Sequence, residues 1–179
     1  MNTVDIAKIT EDQITKCAKA ALLEALTLHK ITFFHSKGNM RIQVELDKPS
    51  DKYGSVNIRE CETYARALKE SLDAYELKSG LNLNYSLEVS SAGAERELLS
   101  IADVERFCAL PLALVFTDEK DKVRSEVVHA IAFENDSITF KLADCKWNRK
   151  QSTVKKILSA EPYSVPWNRI KKIRLHLDV

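Results

Sequence analysis

The chain has 179 residues, of which 45% are hydrophobic and 30% charged, the proportions of an ordinary folded protein rather than a disordered tail. No apolar run approaches the roughly 20 residues a membrane-spanning helix needs, and residues 1–9 lack the basic and apolar regions of a secretion signal, so a soluble protein without membrane contact is expected. The net charge is only +1, but between Cys145 and Arg174 nine bases face the single acid Glu161, a net of +8, whereas residues 1–99 carry 13 Lys and Arg against 15 Asp and Glu. Attraction to phosphate should therefore concentrate at the C-terminal end.

Taken in chain order, Thr10 and Gln13 form a capping-box pattern, so a helix is expected to begin there. Its apolar stripe would be Ile14, Cys17, Ala18, Ala21, Leu22, Ala25 and Leu28. Ile31–His35 is β-branched and aromatic, Lys37-Gly38-Asn39 has turn chemistry, and Arg41–Leu46 alternates, which together predict a β-hairpin. The Pro-, Ser-, Asp-, Lys- and Gly-containing stretch 47–55 reads as a surface loop. Asn57 with Glu60 repeats the capping logic for a second helix carrying Ile58, Cys61, Ala65, Leu68 and Leu72, closed by a left-handed Gly80. Tyr85, Leu87 and Val89 then alternate as a third strand. The first half is thus an α-β-β-α-β unit with two helices on a three-stranded sheet.

Beyond about residue 100 helical periodicity fades, apart from a short turn of helix around Asp103–Phe107. Strands are expected at Leu112–Phe116, Ser125–Phe133, Ser137–Leu142, Val154–Leu158 and Lys172–His176, a spacing that favours a small barrel. The stretch from Val165 to Ile170 supplies a 3₁₀ turn or tight corner before the last strand. The expected class is α+β, with an N-terminal α/β domain over 1–99 and a C-terminal β-barrel over 100–179.

The sequence carries no recognisable catalytic apparatus. Ser90-Ser91 lacks a G-x-S-x-G elbow and a triad context, and P-loop, G-x-G-x-x-G and H-E-x-x-H patterns are absent. Cys17, Cys61, Cys108 and Cys145 are widely spaced, as are His29, His35, His129 and His176, so neither a metal nor another cofactor is expected, and a reducing compartment fits. Asp118, Glu119 and Asp121 lie in a lysine-containing turn and read as solvated charge. The stretch around Lys146, Trp147, Arg149 and Lys150 is distinctive, because an aromatic plane beside three cations can stack on an unpaired base while neutralising phosphates. The alternative is a tryptophan folded back beneath a solvated loop. Lys155, Lys156, Lys171 and Lys172 extend the basic surface, although strand alternation would send neighbouring lysines to opposite faces.

The most informative segment runs from Leu87 to Leu98. Ser90 and Ser91 can bond backbone groups where the strand stops, and Gly93 permits a positive φ. Glu95 and Arg96 either bridge the domains, meet a partner or form a solvated turn. This segment resembles the RimP family, whose members typically show Leu-Glu-Val-Ser-Ser-Pro-Gly followed by Leu, an acidic residue, Arg, Pro and Leu. The chain keeps Leu87 to Ser91, Gly93, Glu95, Arg96 and Leu98, and departs at Ala92, Ala94 and Glu97. Collinear matches follow at Arg59-Glu60-Cys61-Glu62, Leu72-Asp73, Val104–Phe107 and Ile170–Leu175.

The resemblance implies an SH3-like, Sm-related C-terminal barrel and a non-enzymatic, monomeric factor for maturation of the small ribosomal subunit, contacting its RNA and a ribosomal protein at the decoding centre. A freestanding Sm-like RNA regulator that assembles into rings is the alternative. Alanine in place of proline at position 92 implies a looser interdomain turn. That substitution, with Lys141–Asp144 and the Leu175–Asp178 ending, is similar to plastid members, so the chloroplast stroma is expected ahead of a bacterial cytoplasm. The plastid reading requires a processed form, since the chain lacks an Arg- and Ser-rich transit peptide.

Overall fold

A computed structural model describes residues 3–36, 38–93, 96–144 and 161–176. The chain divides into two compact units, Met1–Gly93 and Ala94–Val179, a division that falls ahead of the expected 99/100 boundary.

In the first unit, helix α1 spans Thr3–Ala20, so Thr10 and Gln13 lie inside it and do not cap it. Residues 3–9 contain neither glycine nor proline, so nothing stops the helix from extending back. It also ends earlier than its stripe suggested. The amide of Ala21 donates to the Cys17 carbonyl at 3.0 Å, Leu26 closes a further turn onto Leu23 at 2.9 Å, and Leu28 belongs to the next strand.

Strand β1 (Thr27–Ser36) pairs antiparallel with β2 (Asn39–Asp47), and Gly38 turns the hairpin at φ +75. Helix α2 (Ile58–Ser79) has the expected capping box, in which Asn57 Oδ1 accepts from the Glu60 amide and Glu60 Oε2 from the Asn57 amide, each at 2.9 Å. Gly80 closes it at φ +69, its amide donating to the Glu76 carbonyl. The chain then returns as β3 (Tyr85–Ser91), parallel to β2, giving the sheet order β1-β2-β3. The central strand buries Met40, Ile42, Val44 and Leu46 under Ile14, Ala18, Tyr64, Leu68 and Leu72 of the helices. Cys17 and Cys61 pack against the same core.

The second unit opens with the segment 96–98, which lies along the edge of the last strand. The Leu98 amide donates to Ile173 at 2.8 Å and the Leu175 amide to Arg96 at 3.0 Å, and Leu98 itself is buried in this unit's core. Helix α3 (Ile101–Arg106) has its own capping box from Ser100 and Asp103. Strands β4 (Leu112–Thr117), β5 (Val123–Glu134), β6 (Ser137–Leu142), β7 (Tyr163–Pro166) and β8 (Ile170–Leu175) form one antiparallel sheet in the order β7-β6-β5-β4-β8. The 3₁₀ turn Trp167–Arg169 connects the last two, where the corner was expected. Strand β7 was not foreseen, because four residues ending in proline carry too little alternation to register as a strand. The expected strand Val154–Leu158 lies outside the described residues. The core comprises Val104, Phe107, Leu112, Leu114, Phe116, Val128, Ile138, Phe140, Val165 and Ile173 among others. The architecture is therefore α+β, an α-β-β-α-β unit followed by a unit of one short helix and a five-stranded antiparallel sheet.

Candidate functional site

At the end of β3, Ser90 and Ser91 register with Glu45 and Leu46 of β2. Ser91 Oγ accepts from the Val56 amide at 3.2 Å and from the Gly93 amide at 3.5 Å, so one hydroxyl ties the strand end to the loop ahead of α2 and to the following turn. Gly93 sits at φ +78, a conformation that disfavours any residue with a Cβ. The Ala92 amide donates to the Leu46 carbonyl at 2.9 Å. Proline has no such proton, so alanine here extends the β2–β3 pairing by a bond.

Arg96 is 3% exposed, with its guanidinium 5.1 Å above the Phe107 ring, and so belongs to the packing of the second unit. Glu95 lies outside the described residues, as do Lys146, Trp147, Arg149, Lys150, Lys155 and Lys156. The described neighbours bracket that basic stretch in sequence: Ala143 is fully buried and its amide donates to Val127 at 2.9 Å, and Tyr163 begins β7.

The C-terminal cations are described. Lys171 and Lys172 are both exposed, against the expectation that alternation would separate them. The register of β8 against β4 shifts between Val115 and Phe116, which leaves Lys171 as the extra residue of a bulge. Beyond it alternation resumes, with Ile173 and Leu175 buried and Lys172 and Arg174 outside.

Two features escaped sequence reasoning. A groove of about 720 Å³ in the second unit is lined by Phe116, Asp118, Arg124, Glu126, Tyr163 and Pro166, among others. The Phe116 and Tyr163 rings stack with centroids 5.7 Å apart, and Tyr163 Oη donates to Glu126 at 2.5 Å. Burial, reinforced by that carboxylate, pushes the Tyr163 phenol well above its ordinary range, so it remains a proton donor. The lining joins the β4–β5 hairpin to β7, distant from it in sequence, and no local pattern could have assembled it.

The second feature is the loop before α2. Asp51 Oδ1 accepts from the amides of Tyr53 and Ser55 at 2.9 Å each, Gly54 turns at φ +69, and Lys48 Nζ reaches Glu60 Oε1 at 2.6 Å. The Lys48 ammonium, followed by the Asn57 amide, holds the Glu60 carboxyl below its ordinary range. Turn composition identified the loop, but not that it displays Tyr53 half-exposed.

Among the described residues no three His, Cys, Asp or Glu side chains are grouped to hold a metal ion, and no helix is long and apolar enough to cross a membrane. The arrangement offers surfaces for binding: a fixed strand end, an aromatic groove and exposed cations.

Comparison with known proteins bears on these surfaces. Residues 17–95 match the model of the RimP N-terminal domain. A protein of Leptospira biflexa named ribosome maturation factor RimP is 32% identical over 170 residues, covering 95% of this chain and 98% of its own length. The ribosome maturation factor RimP of Leptospira interrogans, strain Fiocruz L1-130, is 32% identical over 150 residues, covering 83% of this chain and 88% of its own. These relatives are bacterial, which does not support the expected plastid kinship. A match that runs through both units at this identity, together with the Leu87–Leu98 segment in its place at the end of β3, establishes that the chain belongs to the RimP family of ribosome maturation factors.

Proposed function

We propose that this chain is a non-enzymatic factor that assists maturation of the small ribosomal subunit, working as a monomer in a bacterial cytoplasm. It binds ribosomal RNA and a basic ribosomal protein near the decoding centre, and leaves when the subunit matures. The observation that carries this reading is similarity along 95% of the chain to a ribosome maturation factor, which extends over both units and not a single module.

The division of labour follows from charge. The second unit is read as an SH3-like small barrel, a reading supported by the order β7-β6-β5-β4-β8 and by the 3₁₀ turn ahead of the final strand. Between its strands β6 and β7 the sequence carries Lys146, Trp147, Arg149, Lys150, Lys155 and Lys156, cations and an indole suited to phosphates and an unpaired base. The segment with Ser90, Ser91, Gly93 and Glu95 is assigned to the protein partner, while Arg96, buried against Phe107, serves the packing of the second unit.

Lys146→Glu, Arg149→Glu and Lys150→Glu combined should weaken association with small subunits and flatten its dependence on salt, since each lost phosphate contact removes roughly 0.7–0.9 from the slope of log affinity against log salt. An unchanged slope would remove this stretch from the interface. A stable ring of copies binding free single strands would favour an Sm-like regulator instead.

A further inference from the structure

Resting on that reading of an RNA-binding factor, we propose that the loop ahead of α2 is a second contact for unpaired RNA, in which Tyr53 stacks on a base and Lys52 and Arg59 neutralise the adjacent phosphates. Tyr53 is 48% exposed and its hydroxyl makes no hydrogen bond among the described residues, so most of the ring and its polar tip face outward. The loop that presents it is nevertheless fixed. Asp51 Oδ1 holds the amides of Tyr53 and Ser55, the Asp51 amide donates to Lys48 at 2.9 Å and the Gly54 amide to Asp51 at 3.1 Å, and Ser91 Oγ anchors Val56. A loop held in place this way loses little backbone freedom when its ring stacks, which favours binding.

The charges at this end are sorted in one direction. Asp51 is committed to backbone amides, Glu60 to Lys48 and the Asn57 amide, and Glu62 stands 4.0 Å from Arg66. Lys52 and Arg59 are exposed and form no ion pair among the described residues, and the Lys52 ammonium lies 5.4 Å from the centre of the Tyr53 ring. Two cations are left available while Asp51 and Glu60 are engaged, which suits a phosphate backbone. Ile58, 79% exposed at the start of α2, adds apolar surface for a base to cover.

The other exposed aromatic pair of this unit lacks that complementarity. Phe34 lies under the Arg41 guanidinium at 4.6 Å on the open sheet face, but Glu45 and Glu88 stand on the same face without ion pairs among the described residues and would repel phosphate.

The test is fluorescence anisotropy of the full chain with a fluorescein-labelled, mixed-sequence single-stranded RNA. Tyr53→Ala should raise Kd by about 5- to 100-fold while Tyr53→Phe, which keeps the ring, stays within about twofold of the parent, as expected for stacking. Lys52→Ala with Arg59→Ala should lower the salt slope by about 1.4, the share of two single-strand phosphates. Equal binding by Tyr53→Ala and the parent overturns the inference, as does no binding of the probe by the parent. Loss of subunit association by Tyr53→Ala with unchanged RNA affinity also overturns it, by assigning Tyr53 to a protein contact. The charge-reversed 146/149/150 variant in the same assay, with sedimentation on small subunits, separates the two levels. If only that variant is impaired, this inference fails and the proposed function stands; if the parent associates with no precursor subunit, the proposed function fails.

Discussion

At the turn between β4 and β5, Asp118 Oδ1 accepts from the amides of Lys120 and Lys122 at 2.9 Å each, and Oδ2 accepts from Arg124 Nε at 2.9 Å. These bonds, the Lys122 amide first and the Arg124 guanidinium next, hold its carboxyl down at about 2. A carboxyl depressed on folding contributes stability above its unfolded pKa of about 3.9, and that contribution is lost as pH falls through the folded value. Asp118→Asn should therefore be less stable than the parent at neutral pH, with the gap closing between about pH 4 and pH 2. Thermal unfolding across that window checks this, and a gap that stays constant would mean the charge does not matter. Composition suggested only solvated charge for this residue. What it does was hidden because Arg124 and the two amides reach it through the turn's geometry.

At the scale of elements, the first unit depends on how α1 is fastened to α2. Tyr64 Oη, fully buried, donates to the Ala18 carbonyl at 2.8 Å. Ala18 is among the last residues of α1, where helix carbonyls lack backbone partners, so the phenol serves as a tertiary cap. Burial raises its pKa, which keeps the donor protonated. Tyr64→Phe retains the ring and strands the carbonyl, and should cost about 1–2 kcal/mol. A lower denaturant midpoint with an unchanged m-value would bear this out, and an unchanged midpoint would show that water replaces the bond.

The same elements show what was legible. Asn57 with Glu60 marked the start of α2 because a glycine- and proline-containing loop precedes it, while the identical logic at Thr10 and Gln13 failed because α1 has helix-compatible residues upstream. Leu28 fitted the expected helical stripe, but its pairing with Leu46 of β2 decided for the strand. Gly38, Gly80 and Gly93, all at positive φ, were readable from sequence, since few other residues fit there. The aromatic groove and the presentation of Tyr53 were not, because both depend on contacts between distant segments. The bulge at Lys171 was likewise invisible, since a one-residue shift leaves composition unchanged.

At the scale of the whole chain, the two units and their class followed from the change of periodicity near residue 100, but their division at Gly93 reflects hydrogen bonds that only the fold reveals. Residues 96–98 fall before the first helix of the second unit and give no strand signal, yet they pair with the edge of β8 and bury Leu98. Each unit has its own core, and neither core contains a group that the proposed role requires to react. The proposed role is assigned to the cations carried in sequence between β6 and β7, to the end of β3 and to the Tyr53 loop. The most direct test is sucrose-gradient sedimentation of the tagged full chain in a bacterial lysate. The account predicts migration with precursor small subunits and release from mature ones, whereas a chain found only as free protein or as a homo-oligomer would contradict it.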